Sequence, residues 1–246
     1  MRVSAIVVSH GSATELASLL PALEMQVDEL LVIANTPGSV PDGVAAVHNE
    51  RPRGFAANIN SGLAATIGEA VLIANPDTLP EPGAVAALRE VMERHERCGV
   101  AGPRMLFPGG EPQPSRRRFP TVTGTIVRRT PLRRVVGQRH HLHLDEPAPL
   151  EPVRCDWMLG AFLLLRRAML EELGGFDEGF RLYGEDIDLQ YRAQLAGWER
   201  WYVPDAIVRH EHKAETDKRL LTRRTLWHWA GVVRFVRKHP ERLRAL

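Results

Sequence analysis

Ala70-Val71-Leu72-Ile73-Ala74-Asn75-Pro76-Asp77 decides the fold: five apolar residues in a row, then a turn that closes on an acid. So short an unbroken apolar run, bounded by turn residues, predicts a strand buried on both faces. Such strands belong to open α/β sheets, where ligands gather outside the carboxyl ends of the strands. Asp77 is therefore expected at a site.

Outward from this stretch, Val3-Ser4-Ala5-Ile6-Val7-Val8 predicts a first strand. Ser12 and Glu15 have the spacing of a capping box, and Leu16, Leu19, Leu20 and Leu23 share one face of the helix that follows. Leu30 to Ile33 predicts a second strand, closed by the turn Asn35-Thr36-Pro37-Gly38. Gly54 to Ile67 predicts a helix with Phe55, Ile59, Leu63 and Ile67 on its apolar face, and Pro82 suits the first turn of another that runs to Arg94. Cys98 to Ala101, Phe162 to Leu165, Trp201 to Val203 and Ile207-Val208 read as further strands. A helix from Asp186 to Ala196 stops at Gly197. This alternation predicts an α/β fold with a mostly parallel sheet covered by helices on both faces. Residues 1–212 would form one domain, interrupted at 107–152 by an irregular Arg/Pro-rich excursion, with a basic helical arm at 213–246.

With 246 residues, 44% apolar and 25% charged, the chain can bury a sizeable core and is not broadly disordered. Cys98 and Cys155 lack metal or redox spacing and suit a reducing cytoplasm. The apolar run after Arg2 is too short for a signal peptide, and no segment reaches the roughly 20 apolar residues of a membrane span. A cytoplasmic protein is expected, soluble or peripheral on the inner face of the plasma membrane. The net charge of +2 conceals two basic stretches: eight arginines and no acid from Pro112 to Leu144, and ten Lys/Arg against three acids from Lys213 to Leu246. Each attracts something negative or stays solvated.

Asp77 either holds a divalent cation that bridges phosphate oxygens or shapes the Pro76 corner. Asn75 beside it offers only a neutral oxygen. His210, at the exit of a strand, is a second metal-ligand candidate, with His212 as the alternative; imidazole suits Mn²⁺ better than Mg²⁺. A hydrogen-bonded structural histidine is the competing reading. His140, His141 and His143 lie in the basic loop and are expected to be solvated. Glu185 and Asp186 sit side by side with Asp188 two residues on, so their repulsion raises at least one pKa towards that of a useful base, against the pull of the helix N-terminus. Alternatively Asp186 caps the helix and Glu185 is solvated.

Gly174-Gly175-Phe176-Asp177-Glu178-x-Phe180, Tyr183-x-Glu185-Asp186-x-Asp188-Leu189, Arg192, Gly197-Trp198 and Pro204-x-Ala206-x-Val208-x-His210 form one long ordered pattern. It resembles the carboxy-terminal signature of the inverting family 2 glycosyltransferases, which have a GT-A fold. Gly54-Phe55, Asn60-x-Gly62 and Asn75-Pro76-Asp77-Thr78 resemble that family's donor-side motifs, especially those of its rhamnosyltransferase-like branch. The resemblance implies that Asp77 binds metal (Mn²⁺ or Mg²⁺) and the donor diphosphate, that His210 completes the metal shell, and that Asp186 is the general base with Glu185 beside it. It places Trp157, Gly160 and Ala161 near the acceptor, and Ser9, Asn35, Gly54, Asn60 and Asn75 on the donor side. Where relatives often carry Asp-Asn after the second strand this chain has Ala34-Asn35, so one carboxylate contact to the donor's base is missing.

The branch points to a nucleotide-sugar donor such as dTDP-rhamnose and to a polyprenyl-diphosphate-linked or glycan acceptor. Trp227 and Trp229 among the arm's arginines suit an anionic membrane surface, unless the arm simply packs on the domain. Two other classes compete. A sugar nucleotidyltransferase should show a Gly-rich basic phosphate loop after the first strand, which Ser9-His10-Gly11-Ser12 lacks. A nucleic-acid binder should carry more net charge and an aromatic-basic sheet motif.

Overall fold

The computed structural model describes residues 1–119, 143, 146–180, 183–211 and 223–243. The chain runs β1 (Val3–Ser9), α1 (Ala13–Glu24), β2 (Glu29–Ala34), β3 (Val47–His48), α2 (Phe55–Ala65), β4 (Ala70–Ala74), β5 (Thr78–Pro80), α3 (Ala84–Arg94) and β6 (Cys98–Leu106). There follow β7 (Pro112–Gln113), β8 (Arg116–Arg117), β9 (Val153–Arg154), β10 (Trp157–Met158), β11 (Phe162–Arg166), α4 (Arg167–Leu173), α5 (Glu185–Leu195), β12 (Glu199–His210) and α6 (Arg223–Lys238).

Side chains alternate across each strand, and this sorts the apolar residues into two layers. Val3, Ala5, Val7, Leu72 and Leu164 point to one face, where Leu16 and Leu19 of α1 and Leu88 and Met92 of α3 cover them. Ile6, Val71, Ile73, Leu163 and Leu165 point to the other, under Ile59 of α2, Met169 of α4 and Leu189 of α5. All five residues of β4 are buried, which is why that run could tolerate no polar residue.

The main sheet has the order β3-β2-β1-β4-β11-β6-β12-β5. Strands β1 to β4 are parallel neighbours, and β6 and β12 are parallel to each other. β11 is antiparallel to both β4 and β6. Two reversals restore the original direction, so the carboxyl ends of β4 and β12 and the amino end of β11 share one edge. That edge is where Asp77, His210 and Gly160 emerge.

Local readings fare less well than the architecture. Ser12 is the N-cap of α1 but makes no side-chain capping bond; its N–H instead reaches Ser9 Oγ at 3.3 Å. Helix α2 buries Ala56, Asn58, Ile59 and Gly62, while Ile67 lies beyond its end at 68% exposure. The helix turns small residues to the sheet because it lies close: a Cβ on Gly62 would come within 2.8 Å of Ile6. Pro82 precedes α3, which starts after Gly83 at φ +85°. Trp201-Tyr202-Val203 and Ile207-Val208 are not separate strands; β12 is continuous, with an irregularity between Val203 and Ile207 around Pro204. Within the 107–152 excursion, β7 pairs with β6 and β8 with β10.

Candidate active site

At the shared edge, a line of backbone contacts connects the acidic clusters that are far apart in sequence. The Asn75 N–H donates to the Ala161 carbonyl at 2.7 Å. One residue earlier, the Gly160 N–H donates to Asp186 Oδ2 at 3.1 Å. Two residues after Asn75, the Asp77 carbonyl accepts the Glu211 N–H at 2.9 Å, next to His210. Thr78 closes the intervening corner by donating its hydroxyl to the Asn75 carbonyl at 2.7 Å. Asp77, His210 and Asp186 are thus joined along one edge of the sheet, Asp77 and His210 at strand ends and Asp186 through Gly160.

His210 is buried, and its Nδ1 lies 2.9 Å from Gln113 Oε1. An amide oxygen accepts only, so Nδ1 carries a proton, and in the neutral ring the lone pair falls on Nε2. Nε2 faces Asp77 Oδ1 at 3.6 Å, too long for a hydrogen bond. A carboxylate oxygen and an imidazole nitrogen facing each other in this way fit two ligands of one Mn²⁺ or Mg²⁺ ion. No group of three or more His, Cys, Asp or Glu that could hold a metal occurs among the described residues, so phosphate oxygens and water would complete the shell. His212, the alternative ligand, lies outside the described residues, as do His140 and His141. His143 is not solvated: its Nδ1 meets Glu146 Oε2 at 2.8 Å, and Glu146 also pairs with Arg116 and Arg118.

Helix α5 begins at the acidic pair. Gly184, at φ +98°, is its N-cap, so Asp186 does not occupy the cap position; from within the first turn its Oδ1 accepts the Ile187 N–H at 2.9 Å. Glu185 is buried rather than solvated, and its Oε2 has no hydrogen-bond partner among the described residues. Burial, reinforced by the charge of Asp186, pushes the Glu185 carboxyl up to about 8. Burial also raises the Asp186 carboxyl, but N–H groups of Gly160 and Ile187 and the charge of Arg117 oppose it. Near neutral pH Glu185 keeps its proton, while the N–H groups and the Arg117 guanidinium favour the charged form of Asp186. Asp188 takes no part in this repulsion. It is fully buried on another side of the helix, where Arg192, Lys238 and His239 surround it.

The remaining candidates divide between this edge and its supports. Gly160 lies so near Asp186 that a Cβ there would come within 2.8 Å of Asp186 Cβ. Ser9 is fully buried, with its hydroxyl donated to the Ser39 carbonyl, so it shapes the strand end from beneath. Asn35 bonds both the N–H and the carbonyl of Arg53, and accepts from Asn49, whose amide also reaches Asn58. These bonds hold the chain that leads to Gly54, the N-cap of α2. Asn60 faces away from this network and fastens the Phe176 N–H and carbonyl with its amide. Trp157 is buried, donating its indole N–H to the Arg118 carbonyl, with the Arg117 guanidinium 5.3 Å above its ring. Sequence reasoning missed Gln113 and Arg117, which lie in two-residue strands and whose partners are far along the chain, and Asn49 and Asn58, whose amides meet between a loop and the inner face of α2.

The chain matches the family described as "Glycosyltransferase like family 2" over residues 3–230. It is 34% identical over 245 residues, 88% of this chain and 77% of the relative, to the N-acetylglucosaminyl-diphospho-decaprenol L-rhamnosyltransferase of Mycobacterium tuberculosis (strain CDC 1551 / Oshkosh). Among solved structures it resembles GalNAc-T7 with UDP, GalNAc and Mn²⁺, at 16% identity and TM-score 0.68, covering 96% of this chain and 48% of that one. It also resembles the mannosyltransferase PcManGT of Pyrobaculum calidifontis in complex with GDP-Man and Mn²⁺, at 18% identity and TM-score 0.60, covering 95% and 64%. At such identities the structural likeness speaks to the fold, GT-A.

Proposed function

This chain belongs to glycosyltransferase family 2, and on that premise we propose that it transfers a single sugar, with inversion, from a nucleoside-diphosphate donor to a hydroxyl of a polyprenyl-diphosphate-linked acceptor in cell-envelope glycan synthesis. The observation that carries this reading is the joining of Asp186 to the Asp77–His210 corner through Gly160, Ala161 and Asn75. The name of the mycobacterial relative supports L-rhamnose as the sugar and a decaprenyl-diphosphate-type acceptor, and dTDP-rhamnose is the donor we propose with them.

In the proposed reaction Asp186 accepts the proton of the acceptor hydroxyl while that oxygen attacks the anomeric carbon. The bond from that carbon to the diphosphate oxygen breaks on the opposite face, and the nucleoside diphosphate departs with the electron pair. Gly160 and Ile187 N–H groups orient the two carboxylate oxygens of Asp186. Glu185, neutral beside it, adds no second negative charge to the site. Asp77 and His210 would hold the cation, with Gln113 fixing the histidine's tautomer. Bound there, Mn²⁺ or Mg²⁺ neutralises charge on the departing phosphates.

No helix among the described residues is long and apolar enough to cross a membrane. We assign peripheral contact with an anionic cytoplasmic leaflet to α6. Its Gly231, Phe235 and His239 side is buried on the domain, while Trp229, Val233 and Arg237, about 200° away around the helix, are exposed. An exposed tryptophan and valine beside arginine suit the headgroup layer.

The deciding experiment supplies dTDP-rhamnose and other nucleotide sugars with a polyprenyl-diphosphate-GlcNAc acceptor and Mn²⁺, and follows nucleoside-diphosphate release and the product's anomeric configuration. Asp186→Asn should lose on the order of 10²- to 10⁴-fold in kcat with donor binding intact. Wild-type turnover in that variant, or a product of retained configuration, would defeat the proposal.

A further inference from the structure

We propose that the carboxy-terminal helix is a working part of the active centre: Lys238 and His239 hold the buried carboxylate of Asp188, and thereby set the first turn of α5 from which Asp186 projects. Resting on the transferase reading above, this makes Asp188, Lys238 and His239 positioning residues for the base.

The argument begins with Asp188. Its side chain is fully buried, yet it is a carboxylate, and a buried charge persists only where partners satisfy it. One oxygen takes Arg192 Nε at 2.8 Å and Lys238 Nζ at 2.9 Å; the other takes His239 Nε2 at 2.8 Å. Arg192 belongs to α5 itself and also donates to the Leu173 and Gly175 carbonyls. Lys238 and His239 arrive from the end of α6, fifty residues further on, so this helix supplies two of the three donors. The Asp188 N–H meanwhile closes onto the Gly184 carbonyl at 2.9 Å, making Asp188 part of the turn that contains Glu185 and Asp186.

The same helix grips the approach to that turn. Lys238 also reaches Asp177 at 2.8 Å, and Arg234 meets the other oxygen of Asp177 at 2.7 Å. Burial works against ionisation at Asp177, but hydrogen bonds from Arg234, Lys238 and the Gly179 N–H outweigh it and hold its carboxyl far below the usual carboxylate range. Gly231 packs so closely on Tyr183 that a Cβ would lie 2.5 Å from the Tyr183 carbonyl oxygen. Tyr183 is held at φ +69°, a left-handed backbone uncommon for any residue but glycine. Tyr191, lower on α5, stacks edge-on against Phe235 and His239 and donates its hydroxyl to Glu241. Contacts thus run along both elements, and Lys238, shared by Asp177 and Asp188, ties the approach to the helix.

The test uses the full chain, with Lys238→Met as the gentle perturbation, Lys238→Met/His239→Phe as the strong one and Lys238→Arg as the conservative control. A base displaced by about 1 Å costs about 10²-fold, so the double variant is expected to lose roughly 10- to 10²-fold in kcat while the KM for donor stays within about threefold. Lys238→Met should fall between it and wild type, and Lys238→Arg should recover most of the turnover. Amide hydrogen exchange across residues 185–190 should quicken in both Met variants, with exchange in β4 unchanged. Wild-type kcat in the double variant would overturn the proposal, as would lost kcat with unaltered exchange at 185–190. Should the wild-type protein transfer no sugar at all, the transferase reading fails separately, and the exchange measurement still decides whether α6 holds this turn.

Discussion

Replacing Gly160 by alanine places a single methyl group against the proposed base. The added carbon would sit 2.8 Å from Asp186 Cβ and 3.0 Å from its Oδ2, closer than side-chain carbons pack. Restoring ordinary contact at about 3.4 Å requires a displacement of about 0.6 Å. The glycine backbone is not free to supply it, because the next residue's carbonyl is tied to the Asn75 N–H at 2.7 Å. Asp186 must therefore give way, and its 3.1 Å bond from the Gly160 N–H is lost in the process. With about 10²-fold per ångström of misplacement as the guide, kcat should fall roughly 10- to 10²-fold. Overpacking of this kind costs about 1–3 kcal/mol of stability, a Tm drop of several degrees that leaves the protein folded at 25 °C. Donor affinity, assigned in the proposed site to the Asp77 corner, should be unchanged by calorimetry. A folded Gly160→Ala protein with wild-type kcat would refute the placement of the base beside this glycine. Equal losses in kcat and donor affinity would move Gly160 to the donor side.

Further outcomes follow from the same geometry. Glu185→Gln should retain kcat within about tenfold at pH 7, since the native side chain is already neutral there. In the unfolded chain Glu185 ionises near 4.5 but in the folded protein only near 8, so the wild type loses stability as pH rises through that window; the Tm advantage of Glu185→Gln over wild type should grow from pH 5 to pH 8, and a constant difference would contradict the raised carboxyl. Gln113→Leu removes the acceptor that orients His210 and should weaken Mn²⁺-dependent donor binding by about 10- to 100-fold, while Mn²⁺-independent binding stays as it was; titration with and without the metal checks this. Trp229→Ser/Val233→Ser should reduce flotation with anionic but not neutral liposomes without altering turnover on a water-soluble acceptor; undiminished flotation would remove α6 from the membrane contact.

Legibility followed the range over which each interaction acts. Periodicity and turn chemistry depend on neighbours within a few residues, and they located β1, β2, β4, β11 and α5 within a residue or two. The apolar run before Asn75-Pro76-Asp77 and the pattern around Glu185-Asp186 pointed to two acidic clusters for the same reason. Helix rotation was harder: α2 turned Gly62 and Asn58 inward because the sheet lies close enough to prefer small or bonded side chains, which no helical period encodes.

By itself, then, the sequence determined the α/β layering and the chemical types at the carboxyl edge, because both are written in the burial preference of contiguous residues. Only the tertiary structure decided that Asp188 faces away from Asp186 into a cage of donors, two of them from the far end of the chain, that Gln113 sets the tautomer of His210, and that burial keeps the proton on Glu185 while Asp186 is given N–H donors. Each of those depends on a donor, an acceptor or a desolvating neighbour dozens of residues away, and electrostatics in a low-dielectric interior is governed by ångströms of separation rather than by order along the chain.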